Sequence, residues 1–332
     1  MTKIEAARQE YANWCQAIGI DTLDKLNAAL REGKGVDLIN LCEARQERKY
    51  AGAADQIFWC HKKSRIVMMS GPSSSGKTSS SLRIAQQARV LGLNPKVIEL
   101  DNYFVNREDT PIDENGERDY EALEAMDVKF LNEQLNALLA GEEVELPKFD
   151  FLQGCRVPSG KKIRLEENDM LFMEGIHALN PALTPDIDQD KIFRIYISAL
   201  SAIPGGEKVH NSTTDKRLLR RIVRDNRTRG ASPEATIMRW PSVRRGETRN
   251  IFPYEENATI VFNSSTLYDI PLLKYYAEPL LYGIAESSPA YEKAQSMLGF
   301  MKNIVTLKPE EIAAIPPTSI MREFIGGQKL SV

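Results

Sequence analysis

The chain has only four cysteines and three histidines in 332 residues. Cys15, Cys42, Cys60 and Cys155 include no C-x-x-C pair, and no histidine joins them at zinc-ligand spacing. A disulfide framework and a zinc site are therefore not expected, and the thiols read as reduced. No run of about eighteen apolar residues occurs, and Met1-Thr-Lys-Ile-Glu5 opens polar sequence with no apolar leader. The expectation is no membrane association and a cytosolic compartment. A large charge of one sign is also missing. With 43 Lys+Arg against 46 Asp+Glu the net charge is -3, which gives no general attraction to nucleic acid or an anionic membrane. Any phosphate chemistry must come from a local site.

What is present is ordinary globular sequence, 42% hydrophobic and 27% charged, long enough for one large α/β domain or two smaller ones. Tyr11, Trp14, Cys15 and Ile18, then Leu23, Leu26 and Leu30, recur at three- and four-residue steps and predict helices, with Gly19 as a stop and Asp21-Thr22 as a cap. A third helix is expected from Val36 to Phe58. Residues 1–60 thus read as a helical appendage packed on a main domain spanning residues 61–332. From Arg65 the texture changes. Short apolar runs at 65–70, 96–100, 170–173, 192–197 and 259–262 alternate with helical patterns at 79–91, 128–139 and 214–228. Alternation of this kind predicts an α/β fold, a mostly parallel sheet with helices on both faces. The tail from residue 270 to 332 reads as helical to about Ile304 and then runs through Ile315-Pro-Pro-Thr318, which no sequence rule explains.

The strongest motif is Gly71-Pro-Ser-Ser-Ser-Gly76-Lys77-Thr78, a complete G-x-x-x-x-G-K-[ST] between a predicted strand and a predicted helix. Glycines let the amides of Ser73, Ser74, Ser75 and the residues up to Ser79 converge on phosphate oxygens at a helix N-terminus. Lys77 would reach the β- and γ-phosphates, and Thr78 would ligate Mg²⁺. Alone, this motif indicates ATP or GTP. Glu174 ends the apolar run Met170-Leu-Phe-Met173, where a strand-end carboxylate lies beside such a loop and can complete the metal site. Asp101 closes Val97-Ile-Glu-Leu100 and should emerge on the same sheet edge, positioned to accept a proton from an attacking hydroxyl. A basic stripe, Lys216-Arg217 to Arg229-Gly230, reads as a lid of about residues 214–232 rather than a solvated face, with guanidinium groups offsetting phosphate charge. His177 reads as a packing histidine.

In order along the chain, Gly71 to Thr78, Leu100-Asp-Asn-Tyr-Phe104, Pro147-Lys-Phe-Asp150-Phe151, Leu171-Phe-Met-Glu-Gly175 and the basic helix resemble the uridine kinase and phosphoribulokinase family of P-loop kinases. The likeness spans about residues 64 to 265 and is greatest to a bacterial uridine-kinase-like branch, with further likeness at Arg239-Trp-Pro-Ser-Val-Arg-Arg-Gly-Glu247 and at Ile315 to Gly327. The resemblance implies that Asp101 is the catalytic aspartate and that Lys77, Arg224 and Arg229 assist transfer. It implies that Arg221 contacts the nucleotide and that Asp119 contacts the acceptor sugar. Phe149, Asp150, Arg156 and Arg239 fall at acceptor-side positions. Phe149 stands where uridine-cytidine kinases carry a tyrosine and Gly154 where they carry a base-contacting histidine, so uridine itself is a family default.

The resulting expectation is ATP- and Mg²⁺-dependent phosphorylation of a small-molecule acceptor, the 5′-hydroxyl of a nucleoside. Two alternatives stay open: a kinase of another hydroxylated metabolite, with Arg156, Lys161 and Lys162 allowing an anionic one, and an ATP-binding regulator. The oligomeric state is open, a homo-oligomer included.

Overall fold

The computed structural model describes residues 1–113, 116–201 and 213–331. Lys208 and His210, to which no sequence pattern gives a role, lie outside the described residues. Seven strands occur among the described residues: β1 (Ile66–Ser70), β2 (Asn94–Glu99), β3 (Val144–Asp150), β4 (Cys155–Ile163), β5 (Asp169–Glu174), β6 (Ile192–Ser198) and β7 (Ile260–Asn263). Five of them form one sheet in the order β2-β5-β1-β6-β7, and every pairing in it is parallel. β1 and β6 are buried throughout, as is β5 up to Glu174. Strands covered on both faces read as continuous apolar runs, which is why the sequence revealed them. β3 and β4 pair antiparallel in a hairpin, which the sequence reading did not anticipate, and isolated antiparallel bridges join Phe104 to Met126 and Ile112 to Arg118.

Eleven α-helices occur among the described residues: α1 (Lys3–Ala17), α2 (Leu23–Arg31), α3 (Gly35–Cys60), α4 (Lys77–Val90), α5 (Val128–Leu139), α6 (Thr213–Arg229), α7 (Pro233–Asn250), α8 (Asp269–Tyr282), α9 (Tyr291–Met301), α10 (Pro309–Ala313) and α11 (Met321–Ile325). Thr22 caps α2 as expected, its hydroxyl accepting from the Lys25 amide. α7 is a helix the sequence reading did not identify, because Pro241 and Gly246 interrupt its pattern. β1 alternates: Ile66 and Met68 join Leu131, Leu135 and Leu138 of α5 on one face, while Val67 and Met69 join α3 and α4 through Ala53, Ala54, Ile57, Ile84 and Ala88 on the other.

A further buried cluster ties the ends of the chain together. Tyr11, Leu26, Leu30 and Ile39 pack with Leu218, Leu219 and Ile222 of α6, with Leu272 of α8, and with Ile315, Met321 and Phe324. At about 25 cal/mol per Å² of apolar surface, contacts of this number hold α1–α3, α6 and the C-terminal segment in one frame. No helix among the described residues is long and apolar enough to cross a membrane, and the four cysteines are free thiols.

β1 has β5 on one side and β6 on the other, so the chain leaves it at the point where the strand order reverses. Register places Met69 and Glu99 both opposite Glu174, and Ser70 opposite Tyr196. The carboxyl ends of these strands therefore open on one edge, where the site is built.

Candidate active site

The phosphate loop connects β1 to α4. Ser74 (φ 58°) and Gly76 (φ 84°) both take the left-handed conformation, which turns successive amides toward one point. Gly71 has no room for a side chain, because a Cβ there would overlap the Ile197 carbonyl oxygen. Lys77 folds back over the loop, its Nζ donating to Gly71 O at 2.8 Å. Burial pushes the Lys77 pKa down, opposed by the nearby Glu174 carboxylate.

The expected metal pair meets. Thr78 Oγ1 donates to Glu174 Oε1 at 2.7 Å, while the buried Glu174 Oε2 has no hydrogen-bond partner. Burial raises the Glu174 pKa, and Lys77 pulls it the other way. A hydroxyl and a carboxylate with one uncommitted buried oxygen fit a hard cation such as Mg²⁺, which takes one or two protein oxygens and completes its shell with water and phosphate. Asp101 follows β2 in a 3₁₀ turn (Leu100–Tyr103). The residue is exposed, yet surrounding protein desolvates its carboxyl enough to raise the pKa while Lys77 lowers it, and both charges also act on Glu174, so Lys77, Glu174 and Asp101 share one electrostatic neighbourhood.

The basic helix divides its arginines by face. Arg221 Nη1 donates to Ser73 Oγ at 2.7 Å. Arg224 bonds Asp225 through Nε at 2.9 Å, and its Nη1 lies 3.8 Å from Glu323. Arg229 is exposed, with Nη1 3.6 Å from Asp225. Two arginines of the same stripe go inward instead. Arg217 donates to Ser73 O at 3.0 Å and to Glu247, the latter in a bidentate pair. Arg220 donates to Asp269 at 2.8 Å and reaches Ser74 O and Ser75 O. These pairs brace the loop from behind.

The acceptor-side residues are dispersed. Phe149 is buried, its amide donating to Asn102 Oδ1 at 3.1 Å, and its ring packs edge-on against Phe104 and Phe151. Asp150 caps the β3–β4 turn, accepting from the Leu152 and Gln153 amides. Arg156 pairs with Asp127 at 2.6 Å and lies over the Phe130 ring. Arg239 is exposed on α7. Asp119 accepts from Arg249 at 2.8 Å and lines a cleft of about 740 Å³ with Asp113, Glu121, Arg244 and Arg245. His177 is 2% exposed and its pKa is lowered by burial, as suits a packing residue.

The sequence reading missed Glu121 and Glu247. Glu121 is half-buried, with its pKa raised by burial and by the neighbouring acids Glu247 and Asp119, and Arg221 and Lys77 pull it down. Glu247 accepts from the Ser73 amide at 2.8 Å. The only signal for Glu247 was its place at the end of the Arg239–Glu247 motif, and nothing marked Glu121 among the other acids of its loop.

Comparison with known proteins adds a family. Residues 66–271 match the Phosphoribulokinase / Uridine kinase family. A uridine kinase of Macrococcus caseolyticus is 31% identical over 183 residues, covering 55% of this chain and 79% of that protein. A uridine kinase of Streptococcus equi subsp. zooepidemicus is 30% identical over 185 residues, covering 55% of this chain and 78% of that protein. A solved structure described as a possible uridine kinase from Bacillus stearothermophilus superposes loosely, with a TM-score of 0.39 and 20% identity over 64% of this chain and 97% of the other.

Proposed function

Since the chain belongs to the phosphoribulokinase / uridine kinase family and is a phosphotransferase acting on a hydroxyl group, we propose that it moves the γ-phosphoryl of ATP to the 5′-hydroxyl of a nucleoside. The observation that carries this reading is the Thr78–Glu174 contact at 2.7 Å, near enough to Lys77 and Asp101 for their charges to act on one another. Loop amides and Lys77 hold the phosphates. Thr78 and Glu174 hold Mg²⁺, which when bound offsets charge on the β- and γ-phosphates. Asp101 orients the acceptor hydroxyl and takes its proton, and a carboxylate with a raised pKa is a better base than an ordinary one. Arg221 and Arg224 close from α6. The Phe104, Phe149 and Phe151 rings offer an apolar wall for a nucleobase.

A second acceptor class has its own support. The cleft at Asp119 sets Arg244, Arg245 and Arg249 beside Asp113, Asp119 and Glu121, a polar lining in which Arg245 could meet an anionic group and the carboxylates could meet hydroxyls of a hydroxylated metabolite. ATP consumption with Mg²⁺, measured with each nucleoside, with anionic hydroxy-metabolites and without acceptor, separates the readings. Stimulation by nucleosides supports the first, stimulation only by anions replaces it with the second, and no stimulation by any acceptor contradicts both.

A further inference from the structure

The C-terminal segment, which no rule explained from sequence, ends up on the phosphate loop. Ile320 packs its Cδ1 against Gly76, where a Cβ would overlap it. The Glu323 carboxylate accepts from the Ser79 hydroxyl, and Gln328 Nε2 donates to the same hydroxyl at 2.7 Å. Arg227 of α6 donates to the carbonyls of Phe324 and Glu323 at 3.2 and 3.1 Å, and Arg220 lies over the Phe324 ring. Gly326 and Gly327 follow at φ 98° and 78°, and a Cβ on Gly326 would stand 3.2 Å from the Arg227 guanidinium. The segment is thus fastened to α4 on one side and to α6 on the other.

A triphosphate on this loop has a fixed direction. Its γ end lies at Lys77, Thr78 and Glu174, and its α end lies toward the helix residue after Thr78, with the nucleoside continuing beyond. That residue is Ser79, and the groups around its hydroxyl are Glu323 and Gln328. A carboxylate is a poor partner for a phosphate, because both carry negative charge and neither has a proton to give. It is a good partner for a pair of vicinal hydroxyls, since its two oxygens accept two O–H bonds at once. Glu323 already accepts one hydroxyl, and Arg224 Nη1 lies 3.8 Å from its other oxygen.

We infer that residues 319–328 form the nucleoside end of the donor site, with Glu323 a specificity-determining residue that reads the ribose hydroxyls of the donor. The inference rests on the donor-nucleotide reading above. It assigns a task to a segment that the family match, ending at residue 271, does not include.

The test is equilibrium binding to the full chain with Mg²⁺, using ATP, 2′-deoxy-ATP, 3′-deoxy-ATP and inorganic tripolyphosphate as probes, so that the acceptor plays no part. The wild-type chain should bind ATP at least about tenfold more tightly than one of the deoxy analogues, because a carboxylate placed for a hydroxyl is left without it. In Glu323→Ala that preference should fall to within about twofold, while tripolyphosphate binding stays within about twofold of wild type. Glu323→Gln, which keeps the shape, should lose part of the preference and serves where the alanine variant melts early. Preference retained in both variants, or absent in wild type, overturns the inference alone. Tighter tripolyphosphate binding by Glu323→Ala also overturns it, because the acid would then be repelling phosphate. Failure of wild type to bind either ATP or tripolyphosphate overturns the donor-site reading itself and this inference with it.

Discussion

The amide of Ser73, inside the phosphate loop, donates to the Glu247 carboxylate of α7 at 2.8 Å. Glu247 in turn is held by Arg217 Nη2 of α6 at 2.9 Å and by Arg244 Nη1 at 2.6 Å. One carboxylate thereby joins the loop that faces phosphate to the two helices that flank it.

Removing either partner of this pair should be costly. Arg217 and Glu247 are each 2% exposed, so Glu247→Ala leaves a buried guanidinium unpaired and should destabilise the fold by about 3–5 kcal/mol in urea unfolding. Replacing both with apolar residues of similar size should restore part of that loss. The effect has a pH signature. Burial pushes the Glu247 pKa up, but the hydrogen bonds and charge of Arg217 outweigh it, and the folded value is lowered. Its contribution is therefore present above the unfolded glutamate pKa and is lost as pH falls through the lower folded value. The stability gap between wild type and Glu247→Gln should shrink with acidification; a constant gap would remove the ion pair from the explanation.

Asp101→Asn should lower kcat by about 10²- to 10⁴-fold, the usual range for a lost general base, with little change in ATP binding. The acid limb of the wild-type pH profile should lie above the ordinary aspartate range, since desolvation of the Asp101 carboxyl by the protein around it raises its pKa more than Lys77 lowers it. Activity then rises with pH as the carboxylate loses its proton. Equal loss of turnover and ATP affinity in the variant would take the base role away from Asp101.

Gly71→Ala forces a methyl into the Ile197 carbonyl oxygen, and neither backbone can yield without disturbing β6. The variant should lose nucleotide binding and show a thermal midpoint several degrees lower, as about 1–3 kcal/mol of overpacking would produce. Unchanged binding would mean that the loop tolerates a different path.

Ile39 of α3 is 0% exposed within the cluster shared by α6, α8 and the C-terminal segment. Ile39→Ala should cost about 2–5 kcal/mol of global stability. A cost near zero, with loss confined to α1–α3 in hydrogen exchange, would make those helices a separable unit.

Where a residue's place in the fold followed from local pattern, the sequence showed it. The central strands are apolar runs, the phosphate loop is a spaced motif, and Glu174 and Asp101 close strands that the sheet brings to one edge. Other features depend on what packs against what. The basic stripe on α6 could not be split by sequence, because Arg217 and Arg220 differ from Arg221 and Arg224 only in which neighbour they meet. The β3–β4 hairpin was hidden by Pro147 and Pro158, which face each other in its register and weaken any strand signal. The C-terminal segment carries short helices of five residues, too short for a periodic pattern, and its position on Ser79 is a purely tertiary fact.

The central claim is phosphoryl transfer to a hydroxyl at the sheet edge that carries Lys77, Glu174 and Asp101. Its most direct test follows label from γ-³²P-ATP in the presence of Mg²⁺ and a nucleoside, with wild type beside Asp101→Asn. The account predicts a labelled nucleoside 5′-monophosphate formed by wild type and nearly absent with the variant. Label released only as inorganic phosphate, at the same rate with and without nucleoside, would contradict it.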